Sequence, residues 1–387
     1  MRRVLAILLV LLPTFARAEP SALTVAVAGA PVTVTSHAHG ACDADDIPDT
    51  PARAVRLASG EVLLFALHFR DRLLRGPDLL SVRRDCRVVF TADANDDPAA
   101  FDDRGWLVSP YTLDGTRIFS VVHNEFQGHR RPWLCPSGRY VDCWYNSLTI
   151  AVSTDGGEHF VRPRDGLLAA LPYRYDEVVG AHRGYFNLSN IVARDGMFYM
   201  IAFATKAFAQ PWGNCLLRTD RLEDPAAWRA WDGHGFGASF VDPYTSHAAP
   251  ETHVCAPVGL GRLRWPVTSL VRHAPSGLFI ATMMDASPTG GIYIATSRDL
   301  LAWSDPALVR PATGGGGWHC GDPMAVAYPS LLDPASPSRN FETVGATAML
   351  YLTAFNPTNC RLGMDRDLIR LPVTIAPAAP GDGAPAR

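Results

Sequence analysis

Residues 189–204 read SNIVARDGMFYMIAFA: an apolar strand, a tight Asp-Gly turn and a second apolar strand. The design decides the fold because it recurs, at residues 54–69 (AVRLASGEVLLFALHF), 109–124 (SPYTLDGTRIFSVVHN) and 268–283 (TSLVRHAPSGLFIATM). Gly60, Gly115, Gly196 and Gly277 end the turns and supply the positive φ that a Cβ resists. A fifth copy, YPSLLDP followed by ATAMLYLTAFN, replaces the tight turn by a longer loop over residues 333–345. A further pair of short strands follows each hairpin, most clearly LTIAVSTDGGEHF from Leu148, GIYIATSRDLLAWSDP from Gly291 and, last, DRDLIRLPVTI from Asp365. Five such units predict an all-β chain, a five-bladed β-propeller of four-stranded antiparallel blades, whose radial layout exposes only short sheet edges. A β-sandwich is the alternative that short strands with turn signals also allow. Residues 224–231 are the one segment that predicts a helical turn or two, with Pro225 at an early position.

The chain begins with two arginines, an apolar run over residues 4–12 and the small-residue stop Ala16-Arg17-Ala18. That is the pattern of a cleavable export signal, too short to span a bilayer. The expected organisation is a signal at 1–18, a lead-in at 19–36, the propeller at 37–376 and a disordered Ala/Pro/Gly tail at 377–387. A secreted or periplasmic monomer without membrane insertion follows. The signal holds three arginines and no acid, so its loss moves the formal charge from −3 to about −6, which excludes a nucleic-acid partner. Eight cysteines in an exported chain predict up to four disulfides, with Cys135–Cys143 the local bridge. No C-x-x-C spacing supports zinc.

In a blade the innermost strand starts at the top face and the second strand returns there. The second strands end at His68, at His123, Asn124 and Glu125, at Lys206, at Asp285 and at Asn356. Just before the inner strands stand Asp46 and Asp49, then Asn187, then Glu251, His253 and Arg264, then Asp322. With Arg53 and Asn190 on inner strands, these polar groups predict a substrate-binding funnel on the axis, since apolar strands ending in charge must pair it or use it. Lys206 is the single lysine of an arginine-rich chain. Trp106, Trp133, Trp144, Tyr145 and Trp212 near the same loops offer aromatic faces on which a ring of a ligand stacks.

Two carboxyl groups on one funnel allow acid–base chemistry, one giving a proton and the other opposing it. Asp49 is assigned as base or nucleophile and Glu125 as general acid, with His123 orienting and Asp285 or Glu251 as substitutes. No organic cofactor and no metal is required; the acidic run Asp93 to Asp103 offers oxygen ligands for Ca²⁺ but lacks an EF-hand pattern.

Residues 153–160, STDGGEHF, resemble the S-x-D-x-G-x-x-F box of sialidases and related propellers. Ser297-Arg298-Asp299 with Trp303 resembles the blade ending of five-bladed glycosidases, the arabinanase, β-xylosidase and invertase group. That resemblance implies a carbohydrate-hydrolysing propeller with an acid at the start of the first blade's inner strand, here Asp46 or Asp49. A sialidase would imply six blades, an arginine triad and a tyrosine nucleophile; Ile47-Pro48 and Arg53 echo its first blade. A non-catalytic propeller that binds glycan or protein on the same face is the remaining class.

Overall fold

The computed structural model describes residues 23–378; the expected signal and the tail beyond residue 378 lie outside them. Strand pairing gives five consecutive antiparallel runs, the second and third joined by Arg183–Phe186, which pairs parallel with Trp144–Ser153 and antiparallel with Met197–Ala204. The first joins Arg53–Arg56, Val62–Phe65, Leu74–Gly76 and Arg83–Arg84. The second joins Arg104–Thr112, Ile118–Gln127, Trp144–Ser153 and Leu167–Ala169. The third joins Val192–Arg194, Met197–Ala204, Gly213–Thr219 and Arg229–Ala230, the fourth Val267–His273, Phe279–Asp285, Gly291–Ser297 and Ala307–Pro311. The fifth joins Val326–Leu332, Thr347–Phe355 and Arg366–Pro377.

The fifth unit takes its outer strands from the other end of the chain. Leu23–Val27 and Val32–Thr35 both pair antiparallel with Arg366–Pro377. Of the expected lead-in at 19–36, the described residues from Leu23 to Thr35 therefore belong to the last sheet, where the apolar alternation of LTVAV finds its partner edge. The helix expected at 224–231 shrinks to a 3-10 turn, Pro225–Ala227, capped by the Asp224 carboxylate on Ala226 N, before the chain re-enters strand at Arg229.

Two turns share one lock. Asp155 Oδ1 accepts from the backbone N–H groups of Glu158 and His159 and from Ser153 Oγ. Asp299 Oδ1 does the same for Leu301, Ala302 and Ser297 Oγ. A short acid that satisfies two turn amides fixes the hairpin end without help from the sheet. Aromatic rings fill the space between sheets, as where Trp228 stacks on Phe119 with centroids 6.5 Å apart. All eight cysteines are paired, Cys42–Cys86, Cys135–Cys143, Cys215–Cys255 and Cys320–Cys360.

The innermost strands are tied to one another around the axis. Ser109 Oγ donates to Ser189 O at 2.6 Å, Asn190 exchanges two hydrogen bonds with the Leu270 backbone, Leu331 N donates to Ser269 Oγ, and Ser330 Oγ donates to Ala52 O. The remaining step is the packing of Arg53–Arg56 beside Arg104–Thr112. Arg53 is buried at the centre and donates to the carbonyls of Ala52, Leu188 and Thr268, which belong to three different sheets or their approaches.

The cation has no carboxylate partner among the described residues, so its charge is balanced by carbonyl dipoles alone. Arg53→Met keeps the volume and leaves those acceptors without a donor; it is expected to cost roughly 2–4 kcal/mol, read as a lower urea midpoint at unchanged slope.

Candidate active site

A cavity of about 200 Å³ opens where the inner strands begin. It is lined by Asp49, Thr50 and Pro51 ahead of the first inner strand, by Trp106, Val108, His123, Glu125 and Trp144 of the second sheet, by residues 186–188, and by Tyr328 of the fifth. Leu188, whose carbonyl holds Arg53, is part of the lining, so the cavity ends on the axial plug.

Two irregularities aim side chains into it. The pairing of Arg104–Thr112 with Ile118–Gln127 shifts register between Val121 and Val122, just before His123. The fifth inner strand shifts between Ala327 and Ser330, and Tyr328 within that bulge takes φ of 56°, a left-handed conformation uncommon for a bulky residue. Beyond the first bulge His123 and Glu125, two apart, share the cavity side, whereas Asn124 faces away against Thr149 Oγ1 at 2.9 Å.

The two carboxyl groups have opposite surroundings. Asp49 Oδ1 receives the Arg366 guanidinium and the Tyr328 hydroxyl, the latter at 3.3 Å, and Nε2 of His68 lies 3.7 Å from Oδ2. His68 is held by a 2.9 Å contact from Nδ1 to Asp45 O, and burial moves its pKa down. Glu125 is buried and has no cation on it, taking hydrogen bonds from Gln127 at 3.0 Å and Tyr140 at 3.2 Å. Burial pushes its carboxyl up to about 7, and the charge of Asp49 acts in the same direction. Burial also raises both phenols, Tyr140 and Tyr328, keeping them protonated as donors.

The opposite wall is aromatic. Tyr140 stacks on Trp144 at 4.6 Å between centroids, Trp144 on His182 at 3.8 Å, and His182 leans on Phe186. The indole N–H groups of Trp106 and Trp144 are buried without a protein acceptor, although buried donors are normally paired.

Of the other candidates, Asn187 lines the cavity, in the left-handed conformation that Asn tolerates. Arg53 and Asn190 are structural ties on the axis. Asp46 is spent on Arg84 and on Cys42 N. Asp285 caps its own turn at Ser287 N, Asp322 caps His319 N, Asn356 bonds Asp365, and His253 contacts Ser239. Lys206, Glu251 and Arg264 are exposed. None of these eight side chains from Asp46 to Arg264 lies in the cavity lining, and the fourth sheet contributes nothing to it. Trp133 and Trp212 are exposed, and Tyr145 is buried with its hydroxyl on Tyr173 O.

The acidic loop is consumed by arginines: Arg131 pairs with Asp96 and Asp103, and Arg162 with Asp102. Among the described residues no group of three or more His, Cys, Asp or Glu is arranged to hold a metal ion. A larger depression of about 480 Å³, lined by Tyr111, Asp114, Arg117 and Glu223, lies at the turn end of the second and third sheets. Its charges are spent on each other, Arg117 on Glu223 and Asp114 on the amides of Thr116 and Arg117.

Sequence reasoning missed Tyr140, Gln127, Arg366, Asn146 and His182. For Tyr140 a signal existed, since it lies in the loop bracketed by Cys135 and Cys143.

No protein-family model matches the sequence, and no curated protein matches it. Solved structures similar to the chain include an α-L-arabinofuranosidase from Lactobacillus brevis, 10% identical over 88% of this chain and 97% of that one, with a TM-score of 0.49. The catalytic domain of Coprinopsis cinerea GH62 α-L-arabinofuranosidase is 9% identical over 92% and 98%, with a TM-score of 0.48. The GH43_1 enzyme from Xanthomonas citri complexed with xylotriose is 13% identical over 92% of each chain, with a TM-score of 0.47.

The titration of Glu125 is directly measurable by carboxyl ¹³C shifts, with a midpoint near 7. Asp49→Asn removes one of the charges that raise it, so the midpoint is expected to move down. Because the folded pKa lies above the unfolded one, Glu125 favours folding most at acid pH. That contribution is lost as pH rises from about 4.5 to about 7, and Glu125→Gln should flatten this part of the stability profile.

Proposed function

We propose that the chain is an exported glycoside hydrolase that cleaves a single neutral sugar residue from an oligosaccharide or polysaccharide. One observation carries the proposal: Asp49 and Glu125 line the same cavity in environments that separate their roles. A buried carboxyl raised beside a second carboxyl held by a guanidinium marks an acid and its counterpart. Glu125, raised by burial, holds a proton at neutral pH and delivers it to the departing glycosidic oxygen. Asp49, positioned by Arg366 and Tyr328, supplies the opposing carboxylate, as base for a water molecule or as nucleophile.

The size and charge of the cavity support the substrate class. About 200 Å³ falls below the ~300–1,000 Å³ usual for drug-sized ligands, which suits one ring entering end-on. The Arg366 guanidinium is committed to Asp49, and no Lys or Arg is among the lining side chains. An acidic sugar would meet two carboxyl groups without a free cation, which disfavours the sialidase alternative. Trp106 and Trp144 provide faces for a ring and two unsatisfied N–H donors. Export is supported by the complete pairing of the eight cysteines.

The test is a panel of aryl glycosides and plant oligosaccharides offered to the purified protein. Asp49→Asn and Glu125→Gln should each lower kcat/KM by ~10²–10⁴ at unchanged folding. Wild-type kcat/KM should fall as pH rises through about 7, the midpoint of Glu125, and Glu125→Gln should lose that limb. Tight sugar binding without turnover, indifferent to both variants, would assign the cavity to recognition alone.

A further inference from the structure

Behind the cavity wall one amide connects two imidazoles. Asn146 is fully buried, and its Nδ2 donates to His123 Nε2 at 2.7 Å, while its Oδ1 receives His182 Nε2. The orientation of the amide is set independently of both rings, because Nδ2 also lies 3.3 Å from the carbonyl of Asn124, which can only accept. With the NH₂ group fixed on the His123 side, His123 Nε2 must carry a lone pair and its proton must sit on Nδ1. An imidazolium is excluded by the same contact, since Nε2–H would face an N–H donor. His182, stacked face to face on Trp144, completes the chain by donating to the other end of the amide. His123 lines the cavity, packs 5.9 Å from Trp106 between centroids, and its Nδ1 makes no hydrogen bond among the described residues.

We propose that Asn146 is a positioning residue that locks His123 as a neutral Nδ1–H donor, and that this donor binds a hydroxyl of the sugar beside Glu125. The substrate half of this statement rests on the hydrolase proposed above; the tautomer half does not. A neutral donor suits a site that already contains two carboxyl groups, because an imidazolium there would pair with Glu125 and withhold its proton. Burial, with His182 beside it, moves the His123 pKa down to about 3, so the donor persists through the range in which Glu125 titrates.

Long-range ¹H–¹⁵N spectra of the unmodified protein distinguish the two tautomers and the cation without any substitution. His123 should appear as the Nδ1–H form from pH 5 to 8, and titration with D-xylose, D-glucose or L-arabinose should move that Nδ1–H resonance. Asn146→Asp replaces the NH₂ donor by an acceptor and should transfer the proton to Nε2 or produce the imidazolium. In that variant kcat/KM should drop ~10–100-fold, mostly through KM, with the alkaline limb of Glu125 retained. His182→Phe is the milder second variant; it keeps the stack, frees one end of the amide and should give a mixture of tautomers.

An Nε2–H or doubly protonated His123 in the wild type overturns the inference, whatever the enzyme does. An Nδ1–H resonance that no sugar moves overturns the ligand role and leaves the tautomer. Absence of hydrolysis with the Nδ1–H tautomer intact is failure of the proposed activity, and the two outcomes are thereby separable.

Discussion

A single guanidinium stands where the sheets meet. Arg53 reaches from the first inner strand to carbonyls at the approach to the third and on the fourth, and it does so in a site closed to water. Burying a cation costs several kcal/mol unless its donors are used, and carbonyl oxygens from separate sheets are present together only when the ring has formed. The same interaction that would penalise a misassembled ring therefore favours the assembled one. Around it the strands exchange side-chain hydrogen bonds, so that each sheet is indexed to the next through Ser109, Asn190, Ser269 and Ser330.

The catalytic candidates inherit their positions from that ring. Asp49 precedes the strand that carries Arg53 by four residues, and Leu188 touches both the plug and the cavity. What separates the surroundings of the two acids is an ion pair: Asp49 has the Arg366 guanidinium on it, while Glu125 takes neutral donors, Gln127 and Tyr140. Arg366 reaches Asp49 while lying over the Phe355 ring, and nothing comparable reaches Glu125. In a low-dielectric cleft, a carboxyl without an ion-pair partner holds its proton, and burial raises Glu125 in that way.

Much of this was legible beforehand because inner strands enclosed on both faces read as unbroken apolar runs, and Gly-ended turns punctuate them at each sheet. The fate of individual polar residues at the strand ends was not. His123, Asn124 and Glu125 look equivalent at a strand end, and only the assembled sheet shows that His123 and Glu125 share the cavity side while Asn124 faces the other way. Asp285 and Lys206 occupy formally matching places in other sheets, yet one closes its own turn and the other points to solvent. Arg366 arrives from a segment remote in sequence from Asp49, so only the assembled ring reveals it. The mispositioned lead-in has the same cause: a strand of five residues carries no local mark of a partner more than 340 residues away.

That terminal pairing also constrains how the molecule can come into being. Leu23–Val27 lies against Ile375 and its neighbours, so the first strand among the described residues waits for the last. Until then the fifth sheet is short of a strand, and its open edge is a template for association with other chains. A nascent or truncated chain is thus most exposed at the seam where Leu23–Val27 meets residues 373–377.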